Sequence, residues 1–408
     1  MSQRQMGMQP KARSNRDPRV DVARGAALLM IFVDHMPGNP LSLFTLHNFG
    51  FCDAAEVFVL LAGVSSMLAY GRVFARDGAW PGLRRVGARC LRIYLCQAIL
   101  LVTTLAVVRV WTQVFGLQPT LIAPLLDAGP TGLLHGLLLH ALPGYLDILP
   151  LYIVLLASFP LIYVALRRDV RLAFAASVLV WLAANLDDRL NLPNWLDAKG
   201  WYFNPFTWQL LFVTGAALAL ALQAGGGSLP RNRWLTLLSA GYLGVAFMET
   251  APWADWHLPG LRLFAMAAPD KSSLSPLRLL DILALFHLVF SSERLRVVAK
   301  HRFARALEAC GKNSLEIFAL GCLLALFGRL VFRTWGRGWP LLTMVNLTGL
   351  VTMCAAALWL ERMRTRRATV APQGCSTLSL RTPVSPSCNT FGAKRGSGNE
   401  TGFSNRRK

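Results

Sequence analysis

Long apolar stretches return along this chain near residues 19–37, 50–70, 90–115, 144–166, 170–187, 205–223, 233–249, 277–292, 313–333 and 340–361. A helix needs about 20 predominantly apolar residues to cross the hydrocarbon layer of a bilayer, and these stretches are of that order. They predict an all-α, polytopic transmembrane bundle of about ten helices. The composition agrees: the 408 residues are 54% hydrophobic and 15% charged, with a mean hydropathy of +0.42, too apolar for one soluble domain.

The formal net charge of +21 admits two readings, nucleic-acid binding or a membrane protein with positive loops on one side. Its distribution favours the second, so no nucleic-acid partner is expected. Arg4, Lys11, Arg13, Arg16 and Arg19 precede the first stretch, and Arg72, Arg76, Arg84 and Arg85 lie between the second and third. Further clusters fall at Arg167 to Arg171, Arg231 and Arg233, Arg294 to Arg305, and Arg362 to Arg367. Residues 37–49 and 116–143 contain no Lys or Arg. Alternation of this kind places both termini in the cytoplasm and makes the number of spans even. The segment with Arg329, Arg333 and Arg337 fits least well.

Three regions follow: a basic cytoplasmic segment at 1–18, a membrane domain at 19–362, and a basic cytoplasmic tail at 363–408. The tail is rich in Ser, Thr, Pro, Gly and Asn, has no apolar periodicity, and should be disordered. The first apolar stretch lacks a small-x-small cleavage site after Val33 and should be retained. The eight cysteines form no CxxC pair, so neither a disulfide framework nor a metal site is indicated.

Ionisable groups inside an apolar helix are costly unless they have a use. The first helix holds Arg24 and His35. Eleven residues make three turns plus roughly 20°, so the two share a face about 16 Å apart. Asp21 is close enough to pair with Arg24. By the charge argument Arg24 lies near the cytoplasmic mouth, as a snorkelling anchor or as a clamp for phosphate or carboxylate. His35 lies towards the far side, just before Pro37-Gly38-Asn39-Pro40 ends the helix. A neutral histidine bonded between helices and a proton-transfer group both fit it. Asp53 and Glu56 open the antiparallel second helix at about the same depth. Either could orient the imidazole and favour its protonated form, or both could be interfacial carboxylates in water.

Other polar residues carry weaker signals. His135 and His140 lie in an amphipathic stretch too short to span, an interfacial or re-entrant element. Asp147, entering the fourth helix, could meet a sugar hydroxyl or simply sit at a helix N-terminus. Asn204, Trp208 and Gln209 combine amides with an aromatic face at a helix start, as a sugar platform or an interface belt. Asp281 and His287 are not aligned on one face and form no simple dyad. Asn313 or Ser314 should cap the ninth helix, with Glu316 in its first turn. No Walker A loop, Rossmann glycine fingerprint, HExxH or GxSxG is present.

At these residues the sequence resembles the OpgC family, within the broader membrane acyltransferase-3 superfamily. The resemblance rests on the Arg24-x10-His35 spacing, the opening Asp21-Val-Ala-Arg24-Gly25, the Asp34-His35 pair, and residues 49–58 (FGFCDAAEVF). Residues 146–152 (LDILPLY), 203–209 (FNPFTWQ) and 311–318 (GKNSLEIF) extend it over about 17–362. One departure stands out: many superfamily members carry a hydroxyl in a Phe-Phe-x-x-Ser-Gly-like signature of helix two, where this chain has Ala62.

The resemblance implies O-acyl transfer from acyl-CoA to a carbohydrate, and for this family succinylation of periplasmic glucans in a Gram-negative inner membrane. Acyl-CoA, with succinyl-CoA preferred, would be a co-substrate, with no resident cofactor and no metal. Its phosphates would meet Arg24 together with Arg84 and Arg85, or Arg89 and Arg92. His35 would be the general base or a transient acyl carrier, oriented by Asp53 or Glu56. Asp147, Asn204, Trp208 and Gln209 would receive the acceptor. A proton-coupled exporter or flippase of a glycan or lipid-linked sugar is the alternative from another class. A purely structural partner of glucan synthesis is a third reading.

Overall fold

The computed structural model describes residues 17–117 and 122–370, with side chains to residue 366. No strand occurs among the described residues. Each apolar stretch holds a helix: α1 (Pro18–Asp34), α2 (Ala54–Asp77), α3 (Ala79–Phe115), α4 (Ile148–Arg168), α5 (Val170–Leu186), α6 (Pro205–Ala224), α7 (Arg233–Thr250) and α8 (Pro276–Ser291). A short α9 (Arg305–Lys312) precedes the last two, α10 (Ser314–Trp335) and α11 (Trp339–Val370). Six of these, α2, α3, α4, α6, α10 and α11, are long and apolar enough to cross a bilayer, and the chain is a membrane protein.

Local chemistry sets the boundaries. Asp17 accepts from the Arg19 amide ahead of Pro18, and Asn204 accepts from the Phe206 amide ahead of Pro205, so both helices start with a capped N-terminus and proline at N1. Gly78 and Gly116, with φ of 91° and 63°, bound α3. That helix begins well before its apolar stretch, because the turns bearing Arg84, Arg85, Arg89 and Arg92 continue it where hydropathy fades. Likewise α11 runs past residue 362 to Val370, so the tail starts later than its composition indicates. The rest of the expected disordered tail, and residues 1–16, lie outside the described residues. The chain divides into units Met1–Arg364, which holds the bundle described below, and Thr365–Lys408.

Two helix crossings bring backbones into direct contact. At α1 and α9, a Cβ on Gly25 would overlap the Leu307 carbonyl, and one on Gly311 would overlap the Asp21 carbonyl. At α2 and α6, Gly63 meets the Phe212 carbonyl and Gly215 meets the Leu60 carbonyl in the same reciprocal way. Such small-residue contacts replace the hydrophobic drive that lipid cannot supply between helices.

The ten long helices alternate in direction, which gives the bundle two chemically different ends. The outer end gathers the C-termini of α1 and α10 and the N-termini of α2, α4, α6 and α8, tied by Arg329 to the His35 carbonyl and by Lys271 to Asp53. The inner end gathers the start of α1 and the turn of α11 that bears Arg364. There Arg19 donates to the carbonyls of Gly227 and Ser292, and Glu316 pairs with Arg92 and Arg364.

Alanine at Gly25, Gly63 or Gly311 is expected to destabilise the bundle by at least roughly 1–3 kcal/mol, the usual range for overpacking. Alanine at Gly241 or Gly244 on α7, where an added Cβ meets nothing, should be silent. Thermal unfolding of purified protein in detergent separates the two groups; equal melting temperatures would count against the crossings.

Candidate active site

The start of α2 is built as an ionic junction. Asp53 caps the helix by accepting from the Ala55 amide, and Glu56 reaches back to the Asp53 amide at 2.9 Å. These carboxylates then meet cations from a distant part of the chain. Arg278, in the first turn of α8, donates to Glu56 at 2.6 Å and to Asp53 at 3.1 Å, while Lys271, on the preceding loop, lies 2.5 Å from Asp53. One turn on, Asp281 accepts from the Cys52 amide at 3.1 Å, and Gly50 leaves room for its carboxylate. The segment 49–58 is thus a latch between α2 and α8. Burial alone would raise the pKa of Asp53, but Lys271 and Arg278 hold it well below the usual carboxylate range.

His35 is one residue beyond α1 at the same end. Its ring lies edge-on to Tyr145, with centroids 4.8 Å apart, and its carbonyl accepts from Arg329 at 3.3 Å. Arg329 in turn lies over the other partner of this stack, 4.2 Å from the Tyr145 ring centre. Tyr145 has a φ of 74°, a left-handed conformation costing of order 1–3 kcal/mol for such a residue. Gln97 of α3 holds the strained loop by donating to the Leu146 carbonyl at 2.9 Å.

Burial, with the positive charges of Arg329 and Lys271, lowers the His35 pKa from 6.5 to about 3, and Asp53 opposes this only through space. The expectation that a carboxylate would orient the imidazole and favour its protonated form is therefore not met. Asp53 and Glu56 spend their hydrogen bonds on backbone amides, Arg278 and Lys271. His35 is neutral, the form that can accept a proton. Asp147 stands at the N-terminus of α4 with no side-chain cap, and burial raises its pKa to about 6.

A separate basic cleft of about 560 Å³ opens at the inner end. Ser65, Arg72, Arg76 and Arg85 are among its lining residues. Arg24 stands behind it, donating to the Leu61 carbonyl at 2.9 Å and to the Ser65 hydroxyl, with Asp21 3.6 Å away. Ser65 thus places a hydroxyl on Arg24 one turn after Ala62. Arg85 lines the cleft as expected for a donor-binding residue; Arg84 is exposed on α3 and does not line it.

Three residues assigned to the acceptor have structural work instead. Trp208 is 0% exposed, so it can be neither sugar platform nor interface belt; its indole donates to the carbonyls of Lys271 and Ser272. Asn204 caps α6 and donates to the Leu190 carbonyl, and Gln209 exchanges hydrogen bonds with Ser177 of α5. The cause is shared: α6 is packed among α2, α4 and α5, and its polar groups pay for burial by bonding to protein. Through Trp208 this helix fixes the loop that carries Lys271. Asn313 does not cap α10 with its side chain but donates to the Ala309 carbonyl at 2.8 Å. His135, on the short helix Gly129–Leu137, contacts His140, just beyond its end, at 2.9 Å.

Sequence reasoning missed Lys271, Arg278, Tyr145 and Arg329. A signal for Arg329 existed, because it belongs to the basic segment that fits the loop-charge pattern least. A family model described as "OpgC protein" matches residues 16–365. No curated protein and no solved structure matches the chain significantly.

Arg278→Met should cost roughly 3–5 kcal/mol, since it strands buried carboxylate charge. Adding Glu56→Gln should return part of that loss. A double-mutant cycle by chemical unfolding checks the coupling, and strict additivity would argue that the latch is not energetically connected.

Proposed function

Because the chain belongs to the OpgC family, we propose that it is an integral membrane O-acyltransferase that moves a succinyl group from cytoplasmic acyl-CoA to a hydroxyl of a periplasmic glucan. The inner end then faces the cytoplasm, all ten long helices cross the inner membrane of a bacterium, and both termini lie inside. The observation that carries this reading is the division of chemistry between the two ends: a basic cleft with Arg72, Arg76 and Arg85 at one, and a neutral histidine against Tyr145 and Arg329 at the other.

A CoA pyrophosphate suits the cleft, because guanidinium groups bind phosphate through paired hydrogen bonds. Arg24, already fixed by Leu61 and Ser65, gives the cleft a rigid inner wall. The acyl end extends along α1 towards His35, a reach of about 16 Å for eleven helical residues. At the outer end the imidazole nitrogen accepts the proton of the acceptor hydroxyl as that oxygen attacks the thioester carbonyl. The carbon–sulfur bond breaks, the ester remains on the sugar, and the thiolate leaves with CoA and takes up a proton. We assign Asp147, at the start of α4, to hydrogen-bonding the acceptor.

Membranes bearing His35→Ala should contain folded protein at normal abundance yet esterify no glucan when given labelled succinyl-CoA; normal labelling would overturn the role of His35. Uptake of intact glucan into vesicles without covalent label would favour transport instead. Replacing Arg72, Arg76 and Arg85 together by Ala should raise the KM for acyl-CoA at least tenfold with kcat little changed, since binding energy common to ground and transition states is lost. A fall in kcat at unchanged KM would refute a purely donor-binding cleft.

A further inference from the structure

At the inner end, the chain between α8 and α9 exposes apolar side chains that no membrane span explains. Residues 293–304 hold a helix of 6 residues, Glu293–Val298, and one 3₁₀ turn, Arg302–Ala304. Neither is long enough to cross a bilayer. The segment is nevertheless seated on the bundle. Arg19 donates to the Ser292 carbonyl at 3.2 Å, the Ser228 hydroxyl donates to Glu293 at 2.6 Å, and Ala299 and Ala304 are buried. Its other side is open, with Val297, Val298 and Phe303 68%, 61% and 77% exposed.

Cations stand among these apolar groups. Arg294, Lys300, Arg302 and Arg305 are exposed, and the Arg302 guanidinium lies 5.3 Å from the Phe303 ring centre. Among the described residues no carboxylate lies within ion-pairing distance of these four; the nearby Glu293 faces Arg296 at 3.7 Å, and Glu308 pairs with Lys312 at 2.8 Å. The rest of the sequence offers no counter-charge, since residues 1–16 contain Arg4, Lys11, Arg13 and Arg16 with no acidic group, and residues 371–408 are basic apart from Glu400. Water suits the cations but not the three large apolar groups, and a dry protein interface would strand the cations. The boundary between phosphates and acyl chains satisfies both, because long basic side chains reach outwards from a position where their apolar neighbours are buried.

We propose that residues 293–305 are an interfacial anchor that binds anionic phospholipid headgroups through Arg294, Lys300, Arg302 and Arg305 and seats Val297, Val298 and Phe303 at the acyl boundary. Each basic residue near an anionic surface strengthens such binding about fivefold, and the attraction is screened by salt. The anchor runs directly into α9, whose Leu307 carbonyl abuts Gly25 and whose Gly311 abuts the Asp21 carbonyl of α1. A lipid bound here therefore steadies α9 against the helix that carries Arg24. Lipid binding at this surface requires no transfer reaction, so it stands whether or not the protein esterifies a glucan.

The probe is the purified full-length protein in nanodiscs of phosphatidylcholine, with and without phosphatidylglycerol. Both leaflets of a nanodisc have the same composition, so orientation does not bear on the result. Amide hydrogen exchange at residues 293–304 should slow at least about tenfold in the anionic discs, and high salt should remove the difference. With Arg294→Gln, Lys300→Gln, Arg302→Gln and Arg305→Gln combined, exchange should be the same in both lipids. Phe303→Asn should speed exchange in both and keep the difference between them. Should the fourfold variant fail to fold, the salt dependence of the wild type carries the same test. Equal wild-type exchange in the two lipids, protection that survives high salt or the four glutamines, or a silent Phe303→Asn overturns the proposal. Protection by soluble polyglutamate over neutral discs, matching that by phosphatidylglycerol, would assign the surface to an acidic protein and overturn it as well.

Discussion

The contact of Arg278 with Asp53 and Glu56 is the interaction on which the outer end depends. Four ionised groups taken from water would each cost several kcal/mol, so the cluster is tolerable only because the fold brings all four together. Its geometry joins distant parts of the chain: the cap of α2, the first turn of α8, and a loop held by the indole of Trp208. Asp281 adds a second tie one helical turn later. The result is a rigid floor beside His35, with its charges already spent on one another.

That rigidity has a counterpart deeper in the bundle. The glycine contacts between α1 and α9, and between α2 and α6, set helix separations by backbone contact rather than by adaptable side chains. Helix α1 is therefore clamped along its length, by Gly25 against α9, by Arg24 against α2, and at its outer end by the bond from Arg329. A helix so held is suited to carry two functional groups at fixed separation. Its polar residues do different work at each end: Arg24 has its bonds satisfied by protein, whereas the ring of His35 makes, among the described residues, an edge contact with Tyr145.

Much of this was legible in the sequence, for reasons of scale. Hydropathy over long stretches reports burial in lipid, so every long helix overlaps an apolar interval, and the alternation of basic loops agrees with the direction of the helices. The caps at Asp53 and Asn204 obey local rules, yet from sequence alone both read as site groups, and the cap expected of Asn313 is not made by its side chain. What escaped were pairings across hundreds of residues. Nothing near Glu56 announces Arg278, and nothing near Trp208 says that its indole will serve the loop at Lys271 rather than a sugar. An aromatic and two amides at a helix start look alike whether the helix faces water or is enclosed, because that difference depends on neighbours supplied by other segments. The extension of α3 was hidden for a related reason, since charged turns can continue a helix beyond its membrane-embedded part.

Arg329 shows how a misfit to a general pattern carries information. Loop charge in membrane proteins follows orientation, so a basic residue inside an apolar helix, as Arg329 is in α10, must be retained for another reason. Lys271 and Arg278 share the outer end with it, but their charges are cancelled by Asp53 and Glu56. Arg329 differs because its contacts, a carbonyl and an aromatic face, polarise towards it without cancelling it. Such an arrangement keeps the guanidinium oriented while leaving its field intact. Burial is the larger cause of the lowered basicity of His35, and that field adds to it.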